Sequence, residues 1–159
     1  MPVLACTHVG ITVTDPVASR RFYMEGLGFE PIPTSGGDAH KIVATDEYGR
    51  LVAQLLEFDE FKAEVEFLRR DGMMIELVHY EAPAPTREAL RPANVCGLSH
   101  MCMYVDDAEA TAAMLVSLGG TIMRETETEV QFDDGRKVKL LFVLDPDAGV
   151  KIELVEDLA

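Results

Sequence analysis

The chain repeats itself at a spacing of 92 positions: His8 opens His8-Val-Gly-Ile-Thr-Val-Thr-Asp15, and His100 opens His100-Met-Cys-Met-Tyr-Val-Asp-Asp107. The register holds without a gap at Val13/Val105, Asp15/Asp107, Ala18/Ala110 and Gly28/Gly120. Each half closes on the same four residues, Ile75-Glu76-Leu77-Val78 and Ile152-Glu153-Leu154-Val155. A repeat of this kind restricts the fold to two copies of one supersecondary unit. It also sets a His at the start and a Glu at the end of each copy, so His8, Glu76, His100 and Glu153 form a duplicated pair of candidate metal ligands.

A length of 159 residues with 48% hydrophobic content supports one core and is short for a second independent domain. The two halves are therefore expected to share one structure: a first module over 1–81, a crossover over 82–94 that carries Pro83, Pro85 and Pro92, and a second module over 95–159. There is no apolar run of bilayer length and no basic flank followed by an apolar signal segment, which gives a cytoplasmic expectation. Cys6, Cys96 and Cys102 form no CxxC motif and are expected to be reduced. The net charge of -14 repels phosphate backbones and anionic membrane surfaces, so neither nucleic acid nor membrane is an expected partner. An anionic small ligand would need local help from Arg69, Arg70 or Lys139.

In the first half, Val9, Ile11 and Val13 alternate with His8, Gly10 and Thr12, which predicts a strand with one face turned to a cavity. Asp15-Pro16 reads as an N-cap followed by proline at the first helical position, and Gly26 and Gly28 suit the helix end. A short strand is expected near Phe29 to Pro33, then an irregular stretch from Gly36 that holds a short helix over Tyr48 to Phe58. Ala63 to Leu68, Asp71-Gly72 and Met73 to Tyr80 read as a hairpin. The second half copies this order: a strand over Leu98 to Val105, a helix capped by Asp107 with Thr111, Met114, Leu115 and Leu118 as its apolar stripe, and strands near Thr121 to Arg124, Val130 to Phe132, Val138 to Leu144 and Val150 to Val155. The pattern is β-α-β-β-β twice, an α+β fold of two tandem modules forming an open cleft.

Strand parity puts Glu76 and Glu153 opposite their apolar neighbours, and does the same for His8 and His100. If the two sheets turn these faces together, two imidazoles and two carboxylates converge. Two buried carboxylates repel and lose hydration, and a divalent cation removes both costs. A donor set of two His and two Glu without thiolate suits Ni, Co, Zn, Mn or Fe with positions left for water or substrate. His40 is expected in a loop and His79 has the opposite parity to Glu76, so both read as surface residues. Cys102 and Tyr104 share the parity of His100, and Cys6 that of His8; both thiols read as reduced core cysteines.

The paired βαβββ modules, the His-x4-Val-x-Asp openings of the repeat and the closing Asp145-Pro-Asp-Ala-Gly-Val-Lys-Ile-Glu-Leu-Val155 resemble the vicinal oxygen chelate superfamily. That group includes glyoxalase I, methylmalonyl-CoA epimerase, extradiol dioxygenases and bleomycin-resistance proteins. The resemblance implies the fold above and a metal held by His8, Glu76, His100 and Glu153, which match the ligands of bacterial glyoxalase I in type and order. It departs from the glutathione-using enzymes at Thr12, where they resemble one another in an arginine, and at His79-Tyr80, where they tend to carry Asn. It therefore does not extend to glutathione.

The reading that follows is a metal-dependent lyase, isomerase or epimerase. Glu153 and Glu76 are its candidate catalytic bases, abstracting a proton next to a metal-bound carbonyl of a small-molecule substrate. The alternative is a non-catalytic drug- or metabolite-binding protein of the same fold. A ring-cleaving dioxygenase is a weaker third reading, because its 2-His-1-carboxylate site needs three open positions. Exposed sheet edges favour a homodimer.

Overall fold

The computed structural model of the protein describes residues 5–33, 39–87, 90, 94 and 96–158. It has the expected α+β architecture and divides into two compact units, 1–87 and 88–159. Among the described residues no helix is long and apolar enough to cross a membrane.

In the first unit, β1 (Val9–Val13) leads into α1 (Pro16–Arg21), whose start is fixed by the Asp15 side chain accepting from the Ala18 N–H at 2.9 Å. The helix widens over Phe22–Gly26, where the Leu27 N–H reaches back to the Phe22 carbonyl, and this turn drives Phe22 and Tyr23 fully into the core. Then come β2 (Glu30–Pro31), β3 (His40–Val43), α2 (Glu47–Leu55), β4 (Lys62–Arg70) and β5 (Met73–Ala82). The sheet order is β1-β5-β4-β2, with β3 also paired to β4. Asp71 (φ 48) and Gly72 (φ 80) both adopt positive φ in the two-residue β4–β5 turn, the backbone that the Asp-Gly pair favours. One sheet face, with Ile11, Val13, Leu68, Ile75 and Leu77, is buried on the α1 side.

The second unit runs β6 (Met101–Tyr104), α3 (Ala108–Ser117), β7 (Thr121–Gln131), β8 (Lys137–Leu144) and β9 (Lys151–Leu158), in sheet order β6-β9-β8-β7. In both units the first strand joins the sheet by parallel pairing to the last.

Several local expectations are corrected. The irregular stretch contains β3, and its residues from Gly36 to Asp38 lie outside the described set, as do 88, 89 and 91–93 of the crossover. The two short strands expected after α3 are one, β7, with a register shift between Met123 and Thr128. The face that α3 buries is Ala108, Ala112 and Leu115, while Met114 is 41% exposed. Ala108 and Ala112 let the helix lie close to β8 and β9, Leu115 is the large side chain it buries, and Met114 and Val116 turn outward.

Candidate metal centre

The parallel closure of each unit brings its His to its Glu. In the first, Gly10 stands opposite Glu76 in the β1–β5 register and Phe67 stands opposite Glu76 across β4. His8, just ahead of β1, places Nε2 3.3 Å from Glu76 Oε2. The second unit builds the same arrangement from different strands: Cys102 and Phe142 flank Glu153 in register, and His100 Nε2 lies 3.2 Å from Glu153 Oε2. The four side chains are half-exposed, His8 35%, Glu76 23%, His100 38% and Glu153 20%. They are thus open to a ligand yet partly removed from water.

Two groups in each unit support the imidazole, and parity alone did not single them out. Thr7 Oγ1 lies 3.1 Å from His8 Nδ1, and Ser99 Oγ lies 2.8 Å from His100 Nδ1. The Phe67 ring meets His8 edge-on at 5.3 Å between centroids, and Phe142 meets His100 at 5.6 Å. The signal was present in the repeat, since Thr7 and Ser99 are themselves 92 positions apart and both are hydroxyl residues.

The two pairs differ in their surroundings. A Cβ at Gly10 would sit 3.6 Å from Glu76 Oε2, in ordinary van der Waals contact, so Gly10 leaves the carboxylate without a side-chain neighbour at that position. The equivalent Cys102 carries a thiol that hydrogen-bonds Glu153. Partial burial, then the charge and hydrogen bond of Glu153, hold that thiol above its ordinary pKa and so protonated. Tyr80 is two residues beyond Val78 on the Glu76 face, against Phe58 and Phe61. Burial first and the Glu76 charge second raise its phenol.

The remaining candidates fall elsewhere. His79 faces away from Glu76 as parity requires, with Nδ1 3.2 Å from the Val13 carbonyl. His40 is on β3, opposite Val65, rather than in a loop, and is half-buried. Cys6 and Cys102 are exposed free thiols rather than core residues, because Cys6 precedes β1 and Cys102 is on the edge strand β6.

Each unit therefore supplies one imidazole and one carboxylate, oxygen and nitrogen donors of the kind a borderline divalent ion takes. Among the described residues no group of three or more His, Cys, Asp or Glu side chains is placed so that it could hold a metal ion. With Nδ1 occupied by a hydroxyl, Nε2 is the nitrogen left to bind an ion, and it is the one that faces the carboxylate. The donor set fits such a group.

Known proteins share the arrangement of the chain. The uncharacterised protein YaeR of Escherichia coli K12 is 29% identical over 150 residues, covering 94% of this chain and 93% of its own. A glyoxalase family protein from Bacillus cereus superposes with a TM-score of 0.75 at 17% identity, over 100% of this chain and 97% of the other. One from Enterococcus faecalis gives 0.57 at 23% identity, over 98% and 100%. At such identities the two structures speak to the fold alone. The family described as the Glyoxalase/Bleomycin resistance protein/Dioxygenase superfamily matches residues 5–154, both repeats together, and the chain belongs to it.

Proposed function

We propose that His8, Glu76, His100 and Glu153 are the protein's ligands for a divalent ion (Ni, Co, Zn, Mn or Fe). In this reading the protein is a glyoxalase-like lyase, isomerase or epimerase for a small carbonyl compound, working in the cytoplasm as a homodimer. The observation that carries the reading is the duplicated pair, an imidazole Nε2 within 3.3 Å of a carboxylate in each unit. An ion bound there would supply Lewis-acid polarisation of a carbonyl and so acidify the neighbouring C–H. The chain's own residues do the rest. Glu153 or Glu76 takes the proton from that carbon at a carboxylate oxygen and returns it. Phe67 and Phe142 keep water from one side of the imidazoles.

Metal analysis of protein purified without added ions tests the centre. His8→Ala and His100→Ala should each lose most of the bound ion while the fold survives; unchanged stoichiometry in both sinks it. The chemistry is read from solvent deuterium entering a competent substrate. Glu153→Gln keeps an oxygen donor but loses the base, so incorporation should fall far more than metal content. Persistence in that variant and loss in Glu76→Gln would assign the base to Glu76, whereas no incorporation with any active substrate would rule out proton transfer.

A further inference from the structure

The hydroxyls beside the two histidines have a specific task to perform. A neutral imidazole carries one N–H and one bare nitrogen. With Nε2 of His8 or His100 3.3 or 3.2 Å from a carboxylate oxygen, which only accepts, a neutral ring is favoured to carry its hydrogen on that nitrogen. Nδ1 is then bare, and Thr7 or Ser99 donates to it across 3.1 or 2.8 Å. Once Nε2 gives its lone pair to a cation, the ring hydrogen must be on Nδ1, which now needs an acceptor. A backbone carbonyl or a carboxylate serves that second state only. A hydroxyl serves both by rotating its O–H, without moving a heavy atom.

We propose that Thr7 and Ser99 are positioning residues whose hydroxyls reverse their hydrogen bond to Nδ1, donating in the ion-free protein and accepting when the cation is bound. The inference rests on the metal-centre reading above. Its support is the duplication: a hydroxyl precedes the histidine in both units, although the residues opposite the carboxylate, Gly10 and Cys102, are not alike. The edge-on Phe67 and Phe142 rings restrain the imidazole planes, so the hydroxyl rotor and the ring hydrogen are what is left to change.

The test uses full-length protein labelled with 15N in histidine, zinc as the only probe ion, and the variants Thr7→Val and Ser99→Ala beside Thr7→Ser and Ser99→Thr. Long-range proton–nitrogen spectra of the parent should show His8 and His100 with hydrogen on Nε2 before zinc and on Nδ1 after it. Zinc affinity, by competition with a chelator, should fall by about 10–100-fold in Thr7→Val and Ser99→Ala, the usual effect of losing such a support. Thr7→Ser and Ser99→Thr should keep the parent affinity, and circular dichroism should be the same for all five proteins. Hydrogen on Nδ1 in the ion-free parent, or parent-like affinity in Thr7→Val and Ser99→Ala, overturns the proposal and leaves the metal centre standing. A parent that binds no zinc overturns the metal centre and this proposal with it.

Discussion

Ser19 is fully buried on α1, and its hydroxyl has no hydrogen-bond partner among the described residues. A buried polar group left unpaired costs about 1–3 kcal/mol, whereas a partner-free apolar group of similar size costs nothing of that kind. Ser19→Ala should therefore raise stability by roughly 1 kcal/mol and shift the thermal midpoint up by a few degrees. A lower midpoint would mean that the oxygen fills space the helix needs. Legibility also has a residue-scale answer. The pairing of His8 with Glu76 and of His100 with Glu153 was visible because a repeat and strand parity are properties of sequence order. Phe67 and Phe142 were not, because they reach the histidines through pairing with another strand, and no spacing along the chain encodes that register.

At the scale of elements, α3 is fastened at both levels of its first turn. Asp107 accepts from the Ala110 N–H at 2.8 Å, and Glu109 takes Arg124 and Lys139 from β7 and β8. Hydrogen bonds from Arg124 and then Lys139 pull the Glu109 carboxyl down to about 2, and Lys139 and Arg124 likewise lower Glu127. A carboxyl depressed in the folded state stabilises fully above its unfolded pKa near 4.5 and loses that contribution as pH falls towards 2. The stability gap between the parent and Glu109→Gln should accordingly close over that window, and salt should narrow it at neutral pH because these groups are solvated. A gap that stays constant from pH 6 to about pH 2 would assign the effect to packing instead. The same network explains why β7 reads as two strands: from Arg124 to Glu129 the residues are polar throughout and the ladder shifts register, so no alternation survives. The α2 start moved to Glu47 because Asp46 accepts from the Gly49 N–H. β3 went unread because Ile42 is the only one of its four residues that is buried.

On the scale of the whole molecule, the α+β class and the βαβββ order of the second unit were legible because glycine, aspartate and apolar period recur in step in both halves, whereas the first unit adds β3 to that order. The way each unit closes on itself sets a different kind of constraint. Val9 pairs with Ile75, 66 residues on, and Met101 with Ile152, 51 residues on, in parallel and at the edge of the sheet. The β4–β5 and β8–β9 hairpins need only short loops. Loop-closure entropy makes distant parallel pairing slow, so the hairpins should assemble in the early phase of refolding and the first strand of each unit last. His8 and His100 ride on those late strands, while Glu76 and Glu153 are in place with the hairpins. In stopped-flow refolding with a chromogenic ion such as Co2+, the absorbance of the liganded ion should therefore appear only with the slowest phase, after most of the strand signal has formed. Ligand-field absorbance that rises together with the first strand signal would show that edge closure is early. A nascent chain would then carry its imidazole–carboxylate pairs before its sheets were complete, exposed to whatever ions the cell offered first.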